Sequence, residues 1–516
     1  MLGLLLAHSA LGAPQTSAPP REDAARPLRQ LEVDAGTSIG RLRSLLGVNG
    51  APAPGTHKPP YFRFGGWNMP EDVDASRGYR EAHIDLVRTH DAYGPGDIDA
   101  KFGPLGPPGS STVSAQRDAL GIFPDMRADP TDPHSYNFGP TDRQIASIVA
   151  VGAQVLFRLG RSETSEVTPP ASFERYAAIV EHVVRHYNGG WDRGFHYGIR
   201  YWEVWNEPDL GKLFWGGTPQ QFFEFYTLLA GAVKRADPAA LVGGPTLAKP
   251  NDRTPYRDDF LDYVRARNIP LDFFSWHWYA TDSDDPLDFV RIGRDVRARL
   301  DRHGLQATQS ILDEWNYGLV DPPPPDLQRA SFVETSLIYM QDAPIDRAAL
   351  YRADNLFGAD GATPDKTGQA LIALGRMQAT PERVPASGGD LSGFGLLAAR
   401  SADAGTVQIL LSNYRIPQEL LGPRAGPDLI HVPNVFDVGL LKRRNVAYDA
   451  YAGYELRVTH LARGARYSVE RYRISAHDDL SLVERTCQSG DTITLRAALP
   501  TPAIELIVIR RAADGR

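Results

Sequence analysis

Two short motifs each end a predicted apolar strand on a glutamate. In Tyr201–Asp209 (YWEVWNEPD), Glu207 stands directly before a proline, which ends the strand. In Ser310–Asn316 (SILDEWN), Glu314 stands before an aromatic residue. A carboxyl group packed among the nearby tryptophans would be poorly solvated, and this raises its pKa as a general acid requires. The hydrolysis of a glycosidic bond needs two carboxyl groups. One protonates the leaving oxygen, and the other attacks the anomeric carbon.

A single Asn-Glu-Pro sequence could equally well cap a loop, so the pair of motifs carries the prediction. Glu207 follows the fourth predicted strand and Glu314 ends the seventh. In a closed barrel of eight strands these two positions face each other across the mouth, where the strands end and chemistry takes place. The arrangement therefore favours a shared site.

Eight apolar segments, rich in β-branched and aromatic residues, are predicted as strands buried on both faces. They are Tyr61–Gly65, Ile84–His90, Ala153–Leu159, Arg200–Asn206, Leu241–Gly244, Leu271–Tyr279, Ser310–Trp315 and Arg347–Arg352. Amphipathic segments between them are predicted as helices: Phe173–His186, Pro219–Ala236, Arg257–Arg267, Asp288–His303 and Gln328–Met340. The alternation predicts an α/β fold, a (β/α)8 TIM barrel. A doubly wound open sheet is the alternative, and it is disfavoured because no glycine-rich phosphate loop follows the first strand.

After about Gln378 apolar and polar residues alternate with a period of two, and glycine, proline and aspartate interrupt the pattern. The segments are Gly395–Ala399, Thr406–Asn413, Glu455–Leu461, Ala465–Arg473, Thr492–Leu495 and Ala503–Ile509. They predict an accessory antiparallel β-sandwich, and Leu31–Asp34 is expected to add a strand to it. The predicted domains are a signal peptide or disordered tail (1–25), an N-terminal sandwich strand (26–55), the barrel (56–378) and the sandwich (379–516).

The composition is that of a soluble globular protein, with 42% hydrophobic and 23% charged residues. A net charge of -8 gives no reason to expect nucleic acid or an anionic membrane as a partner. Cys487 is the one cysteine, so no intrachain disulfide can form, and no nearby histidine activates it. His182 and His186 are spaced like zinc ligands on a helix but lack an acidic HExxH context, so no metal or cofactor is predicted.

The first thirteen residues (MLGLLLAHSALGA) are similar to the apolar part of a secretion signal, although a basic start is absent. This pattern favours a periplasmic or secreted protein, with the cytoplasm as the alternative. No later segment approaches the roughly 20 apolar residues of a membrane span.

At the two glutamate motifs the sequence resembles glycoside hydrolase family 39, which includes β-xylosidases and α-L-iduronidases. WEVWNEPD is similar to the acid/base motif of that family, and ILDEWN is similar to its nucleophile motif. The resemblance extends over roughly residues 60–415 and includes Arg88–Asp91, Tyr136–Phe138 with Asp142, Phe274–Tyr279 and Val407–Tyr414. It implies a retaining double displacement, with Glu207 as acid/base and Glu314 as nucleophile.

The resemblance also implies roles for neighbouring residues. Asn206 is expected to donate its amide to the sugar 2-hydroxyl, and Arg88 to hold Glu314 ionised through a charge-assisted hydrogen bond. Tyr279 is expected to donate to Glu314. The other residues expected to bind substrate are His90, His277 and Trp315. A purely structural ion pair for Arg88, and core packing for the histidines and Tyr279, are the alternatives.

Two acidic residues close to the motifs are predicted to stay out of the reaction. Asp313 should point away from the site because side chains alternate along a strand, and Glu203 should lie too deep. Two features depart from the family pattern: Asp209 stands where asparagine is usual, and the segment Tyr93–Pro133 is long and rich in glycine and proline. Both departures leave the substrate open.

The two glutamate motifs thus predict a glycosidase that acts on an oligosaccharide, polysaccharide or glycoside, and the resemblance implies that it is retaining, exo-acting and β-xylosidase-like. An endo-acting polysaccharide glycosidase of the same clan is one alternative, and a catalytically inactive sugar-binding protein is another. In a retaining enzyme the two carboxyl groups should lie roughly 5–5.5 Å apart. The sugar, its anomer and the oligomeric state are left open.

Overall fold

The computed structural model describes residues 26–512, apart from 54–72, 91–95, 100–120, 163–166, 251–254, 281–284, 318–324, 354–355, 359, 419–420, 422–428, 433–439, 444–445, 447 and 449. The predicted signal segment 1–25 and the predicted strand Tyr61–Gly65 lie outside the described residues, as do Asp91 and most of the segment 93–133. No helix among the described residues is long and apolar enough to cross a membrane.

Eight parallel strands close into a barrel, so the predicted fold is confirmed. In order around the barrel they are Gly47–Asn49, Leu86–Arg88, Gln154–Leu159, Tyr201–Val204, Leu241–Leu247, Phe273–Tyr279, Gln309–Asn316 and Arg347–Leu350. The described helices are Ser76–Glu81, Gly139–Ala150, Phe173–Gly189, Pro219–Ala236, Tyr256–Ala266, Leu287–Arg302, Asp326–Met340 and Lys366–Arg376. Short 3-10 turns follow several strands and helices, among them Pro208–Leu213 after the fourth strand.

The barrel begins earlier than predicted, because Gly47–Asn49 is its first strand although the segment 26–55 was expected to belong to the sandwich. The strand has three residues, Gly-Val-Asn, which is too short to show a periodicity. Its glycine is required by the packing, since a Cβ atom on Gly47 would lie 2.3 Å from the carbonyl oxygen of Ala348.

The helix Pro219–Ala236 shows how the sequence fixes an element that supports the site. Thr218 accepts a hydrogen bond from the backbone N–H of Gln221, whose side chain in turn accepts from the backbone N–H of Thr218. This reciprocal cap and the proline at the first helical position define the start of the helix. One face of the helix buries phenylalanine, tyrosine and leucine side chains against the barrel.

Inside the barrel, an apolar layer lies below a charged layer. Leu86, Leu156, Tyr201, Phe273 and Ile311 form a separate buried cluster. Because side chains on a strand alternate, the residues two positions later point into the same interior, nearer the carboxyl ends of the strands. Those residues are Arg88, Arg158, Glu203, Ser275 and Asp313, and all are buried. The charged layer therefore has apolar side chains beneath it.

The predicted antiparallel sandwich is also confirmed. One sheet has the order Asp479–Ser489, Arg466–Ile474, Ala503–Arg511, Thr406–Asn413, Phe394–Arg400, Glu382–Arg383 and Gly40–Arg41. The other has the order Ala386–Ser387, Leu28–Asp34, Gly453–Thr459 and Ile493–Ala497. A separate hairpin pairs Leu429–Val432 with Leu440–Arg443. The N-terminal strand Leu28–Asp34 joins the sandwich as expected, but it pairs in parallel with Gly453–Thr459.

The helix Asp326–Met340 joins the two domains and is almost wholly buried. Its Thr335 hydroxyl donates to the Ser412 hydroxyl at 2.9 Å, and Ser412 donates to the carbonyl of Ser331 at 2.9 Å. Tyr339 donates to the carbonyl of Asp390 at 2.7 Å. The helix thus packs on the barrel with one face and hydrogen-bonds the sandwich with the other.

Candidate active site

The carboxyl ends of the barrel strands bring together most of the residues predicted for the site. The second strand supplies Arg88, the fourth is followed by Asn206 and Glu207, the sixth carries His277 and the seventh carries Glu314. Tyr279 ends the sixth strand, and His90 follows the second. This is the face at which (β/α)8 barrels place their chemistry.

The backbone around Glu207 is held in a conformation that non-glycine residues rarely adopt. Glu207 has φ 43° and Trp205 has φ 72°, both in the left-handed region. The Glu207 N–H donates to the Thr246 carbonyl at 3.0 Å, and Pro208 then begins the 3-10 turn Pro208–Leu213. Strain of this kind persists where the surrounding structure fixes it. Here the fourth and fifth strands fix the direction in which the Glu207 carboxyl leaves the backbone.

Three donors surround the Glu314 carboxylate, which is 5% exposed. Arg88 Nη1 donates to Oε1 at 2.7 Å, and the Tyr279 hydroxyl donates to Oε2 at 2.6 Å. His90 Nε2 lies 3.3 Å from Oε1. Burial raises the pKa of Tyr279 well above its ordinary value, so its hydroxyl keeps the proton that it donates. Together these groups stabilise a negative charge on Glu314.

Glu207 has a different environment and lies close to Glu314. Its Oε1 lies 2.8 Å from Nδ1 of His277, and the same nitrogen lies 3.5 Å from Glu314 Oε2. An oxygen of each carboxyl group and a nitrogen of His277 all lie within 4.8 Å of one another. Such closeness of one oxygen from each carboxyl group fits the roughly 5–5.5 Å spacing of retaining glycosidases better than the 6.5–9.5 Å spacing of inverting ones.

Glu207, His277 and Glu314 are also, among the described residues, a group whose atoms could reach one metal ion. Each of them already has a hydrogen-bond partner within the site, and two carboxyls with one imidazole are equally an acid–base set. The group therefore has the composition of an acid–base and nucleophile set as well as that of a cation site. His182 and His186 are used structurally: His182 Nδ1 lies 2.8 Å from the Ala178 carbonyl, and His186 Nε2 lies 3.1 Å from Asp142.

Arg88 connects the rest of the site and is fully buried. Its Nη2 donates to Asn206 Oδ1 at 2.8 Å, and its Nη1 also donates to Asn49 Oδ1 at 3.2 Å. Its Nε donates to Glu203 Oε2 at 2.6 Å. Because Oδ1 of Asn206 accepts from Arg88, the Asn206 amide nitrogen is oriented as a donor, the role expected of it toward a sugar hydroxyl.

The prediction that Asp313 points away from the site is wrong. Its Oδ2 lies 2.9 Å from Arg88 Nε and 3.5 Å from His277 Nε2. The register explains the reversal, because Trp276 pairs with Leu312 while His277 pairs with Glu314. The seventh strand therefore contains one extra residue, a β-bulge that interrupts the alternation. As a result, Asp313 and Glu314 both face the interior.

The prediction that Trp315 binds substrate is also wrong. Trp315 is fully buried, and its ring packs edge-on against Phe289 at 5.1 Å, between the barrel and the helix Leu287–Arg302. After the bulge the alternation resumes, so the residue that follows Glu314 points outward.

Asp209 connects two loops at the mouth of the barrel. Its carboxyl oxygens accept hydrogen bonds from the backbone N–H groups of Ala248 at 3.1 Å and Lys249 at 2.8 Å. Burial raises the pKa of Asp209 to about 6, although these hydrogen bonds act to lower it. Asp209 thus fastens the loop that carries Glu207 to the loop after the fifth strand.

Asn49 was missed by the sequence analysis because its strand was missed. Its Nδ2 donates to the backbone carbonyl of Asp313 at 2.7 Å, beside the bulge. A polar residue after Gly-Val would have been a signal only if the first strand had been recognised. Asp142 of the Tyr-Asn-Phe…Asp segment instead accepts hydrogen bonds from His186 and Tyr187, on the helix Phe173–Gly189.

Comparisons with known sequences agree with the two motifs. The model of "Glycosyl hydrolases family 39" matches residues 122–290. A β-xylosidase of Caldicellulosiruptor saccharolyticus is 35% identical over 118 residues, or 22% of this chain and 23% of the relative. A β-xylosidase of Geobacillus stearothermophilus is 30% identical over 190 residues, or 33% of this chain and 36% of the relative. These alignments span about a quarter to a third of each relative.

Solved structures match over almost the whole chain. A glucosidase from Croceicoccus marinus superposes with a TM-score of 0.80 at 34% identity, covering 94% of this chain and 100% of that one. The GH39 enzyme from Xanthomonas axonopodis pv. citri superposes with a TM-score of 0.67 at 16% identity, covering 96% and 100%. At that lower identity the second likeness shows the shared fold alone.

Proposed function

Because the chain belongs to glycoside hydrolase family 39, we propose that it is a retaining, exo-acting β-glycosidase that uses Glu207 and Glu314 in a double displacement. The observation that carries the proposal is a pair of carboxyl groups that bring one oxygen each within 4.8 Å of the other while standing in unlike surroundings. Glu314 is surrounded by donors, whereas Glu207 faces an imidazole nitrogen that can give or take a proton.

In the first step the Glu314 carboxylate attacks the anomeric carbon, and the bond to the leaving oxygen breaks. Glu207 gives its proton to that oxygen, so the aglycone leaves as a neutral alcohol. The sugar is then esterified to Glu314, and Glu207 is ionised. His277 Nδ1 lies 2.8 Å from Glu207 Oε1, so the imidazole borders this carboxyl group throughout the step.

In the second step Glu207 acts as a base. It takes a proton from water as the water oxygen attacks the anomeric carbon, and the ester bond to Glu314 breaks. Two inversions give net retention. Arg88 and Tyr279, which donate to Glu314 at 2.7 and 2.6 Å, stabilise the carboxylate that leaves.

For the substrate we propose a β-xyloside, as the two curated relatives are named β-xylosidases. A glucoside is the second candidate, favoured by the 34% identity to a glucosidase over the length of both chains. Asp209, where the family usually has asparagine, binds backbone N–H groups of a neighbouring loop, so it can alter the shape of the pocket without contacting the sugar.

Two measurements test this function. Hydrolysis of a panel of nitrophenyl glycosides should be fastest for the β-xyloside or the β-glucoside, with Glu314→Gln as the inactive control. Proton NMR of the first product formed should show the β-anomer before mutarotation, and linear oligosaccharides should release only single sugars. A first product of inverted configuration would overturn the double displacement, and release of long fragments would overturn exo action.

A further inference from the structure

Beneath Glu207 and Glu314 lies a second pair of acidic side chains, Glu203 from the fourth strand and Asp313 from the seventh. Both are 0% exposed. They converge on one atom, since Nε of Arg88 lies 2.6 Å from Glu203 Oε2 and 2.9 Å from Asp313 Oδ2. That nitrogen carries a single hydrogen, and the hydrogen is directed at Glu203. Asp313 is thus held near the guanidinium by charge, without a directed hydrogen bond.

The other carboxylate oxygens of Glu203 and Asp313 outnumber the hydrogen-bond donors around them. Glu203 Oε1 and both oxygens of Asp313 accept no directed hydrogen bond from any group in the described part of the chain. Two buried carboxylates on one N–H would repel each other, and each unpaired oxygen would carry a desolvation cost. A single proton held between the two carboxyl groups removes the repulsion, because like charges this close cannot both remain ionised. It also gives a hydrogen-bond partner to Glu203 Oε1 and to one oxygen of Asp313.

The charged groups facing the pair are Arg88 from the second strand, His277 from the sixth and Glu314 beside Asp313 on the seventh. Arg158 of the third strand is occupied by Asp97, and Arg347 of the eighth by Asp85 at 3.3 Å. The first and fifth strands carry no titratable side chain. One guanidinium therefore serves three carboxyl groups, which favours keeping one of the three neutral.

His277 links this pair to the acid/base. Its Nε2 lies 3.5 Å from Asp313 Oδ2, and its Nδ1 lies 2.8 Å from Glu207 Oε1. The negative charge of Asp313 on this side of the ring favours a proton on Nε2, although the 3.5 Å separation is too long for a directed hydrogen bond. The opposite nitrogen is then presented to Glu207, where it can hold or release the second proton.

We propose that Glu203 and Asp313 share one buried proton, carried on Glu203, and act as positioning residues that hold Arg88 against Glu314 and turn Nδ1 of His277 toward Glu207. The role of the pair in the reaction rests on the proposed function, whereas the shared proton does not. Electrostatics agree with the geometry. Burial raises the pKa of Glu203 well above its ordinary value, against the charge of Arg88. Burial acts to raise the pKa of Asp313 as well, but Arg88 and His277 hold it below its ordinary value.

Infrared difference spectroscopy tests the shared proton without using activity. Near neutral pH the wild-type protein should show the carbonyl band of a buried, protonated carboxylic acid, and Glu203→Gln should lack it. Burial also raises the pKa of Glu334 well above its ordinary value, so Glu334 is the second candidate for such a band, and Glu334→Gln identifies its contribution. If Glu203→Gln changes no band while Glu334→Gln removes the only one, Glu203 is ionised and the proposal is overturned.

Kinetics test the positioning role through a pair of matched amide substitutions. Glu203→Leu should lower kcat about tenfold or more, and Glu203→Gln, which still donates a hydrogen bond, should recover most of that loss. Asp313→Asn removes the negative charge beside His277, so the proton held between His277 Nδ1 and Glu207 is lost at lower pH. The alkaline limb of kcat/KM should shift downward by about one pH unit, and Glu203→Gln should leave it in place.

These results separate the two proposals. If Glu203→Gln shifts the alkaline limb and Asp313→Asn does not, the proton is on Asp313 and our assignment is reversed. If both variants change only the thermal midpoint, the pair is a structural element and the positioning role is refuted. A protein that shows the Glu203 band but cleaves no glycoside would contradict the proposed function alone.

Discussion

Two regions of this molecule each bury a cluster of charged side chains. In the sandwich the hydrogen-bond donors match the carboxylate acceptors, whereas in the barrel the acceptors outnumber the donors. In the sandwich, Glu505 is 0% exposed. It accepts from Arg471 at two nitrogens, both at 2.9 Å, from Arg473 at 3.0 Å and from the hydroxyl of Tyr454. In the barrel, one guanidinium, Arg88, meets the carboxyl groups of Glu203, Asp313 and Glu314.

The difference separates a structural cluster from a chemical one. Around Glu505 each carboxylate oxygen has a donor, so the network is rigid and has no place for a mobile proton. Around Arg88 the acceptors are in excess, so a proton must be bound, and its position can change during a reaction. Two clusters that are equally buried can therefore be distinguished by counting donors.

The largest effect is expected at the barrel. Glu314→Gln keeps the size of the side chain but cannot form the covalent intermediate, so kcat should fall by about 10⁴-fold or more. The assay is release of nitrophenolate at saturating substrate, with circular dichroism as the control for folding. Turnover within tenfold of the wild type would place the nucleophile elsewhere and weaken the contrast between the two clusters.

Glu207→Ala should give a loss that depends on the leaving group. Glycosides with alkoxide leaving groups should lose about 10²–10⁴-fold in kcat/KM, because nothing protonates the departing oxygen. Nitrophenyl glycosides should still form the intermediate, since nitrophenolate leaves without a proton. Added azide needs no base, so it should restore turnover and give a glycosyl azide of retained configuration. An inverted azide product would mean that the two glutamates have exchanged roles.

In the sandwich the expected effect is on stability alone. Glu505→Gln leaves Arg471 and Arg473 without their buried counter-charge, so the free energy of unfolding should fall by about 3 kcal/mol. Urea unfolding measures this change, and kcat of the folded protein should be unaffected. Glu455→Gln is the matched control, because Glu455 pairs with an exposed Arg496 and should cost no more than about 0.5 kcal/mol. If Glu505→Gln changed the pH profile of kcat, the sandwich cluster would take part in the reaction, and the contrast between a structural and a chemical cluster would be wrong.

The smallest effect should come from Asp209, whose carboxyl oxygens have matched donors although it lies at the barrel mouth. Its folded-state pKa, about 6, is raised above the ordinary 3.8, so the folded state binds its proton more tightly. This contribution to stability is present below pH 4 and is lost as pH rises through 6. The amide of Asp209→Asn does not titrate, so the free energy of unfolding of this variant should fall less than that of the wild type between pH 4 and 7, by about 2 kcal/mol. Parallel curves for the two proteins would contradict the raised pKa.

Most of the fold was predictable because its signals are local. The helix Pro219–Ala236 has the predicted bounds, since Thr218 and Pro219 start it and the apolar face continues to its end. Glu207 and Glu314 were found for the same reason, as each ends a buried strand in a recognisable motif.

Features that depend on a partner strand were not predictable. The bulge at Asp313 is a shift in register against the sixth and eighth strands, and nothing within residues 309–316 reveals it. It lets Asp313 face the interior beside Glu314, against the orientation expected from alternation. The strand Gly47–Asn49 is held by its neighbours and by a glycine that fits against Ala348, so its three residues show no pattern of their own.

The parallel strand at the start of the sandwich has a consequence for biosynthesis. The Thr459 hydroxyl donates to the Val33 carbonyl, a contact that spans 426 positions of the chain. At a translation rate of about 5–20 residues per second, Leu28–Asp34 leaves the ribosome roughly 20–85 seconds before its partner strand is made. During that interval the whole barrel is synthesised, while this strand exposes Leu31 and Val33, which are buried in the finished protein. The sandwich therefore completes folding last, although it contains the first strand to be translated.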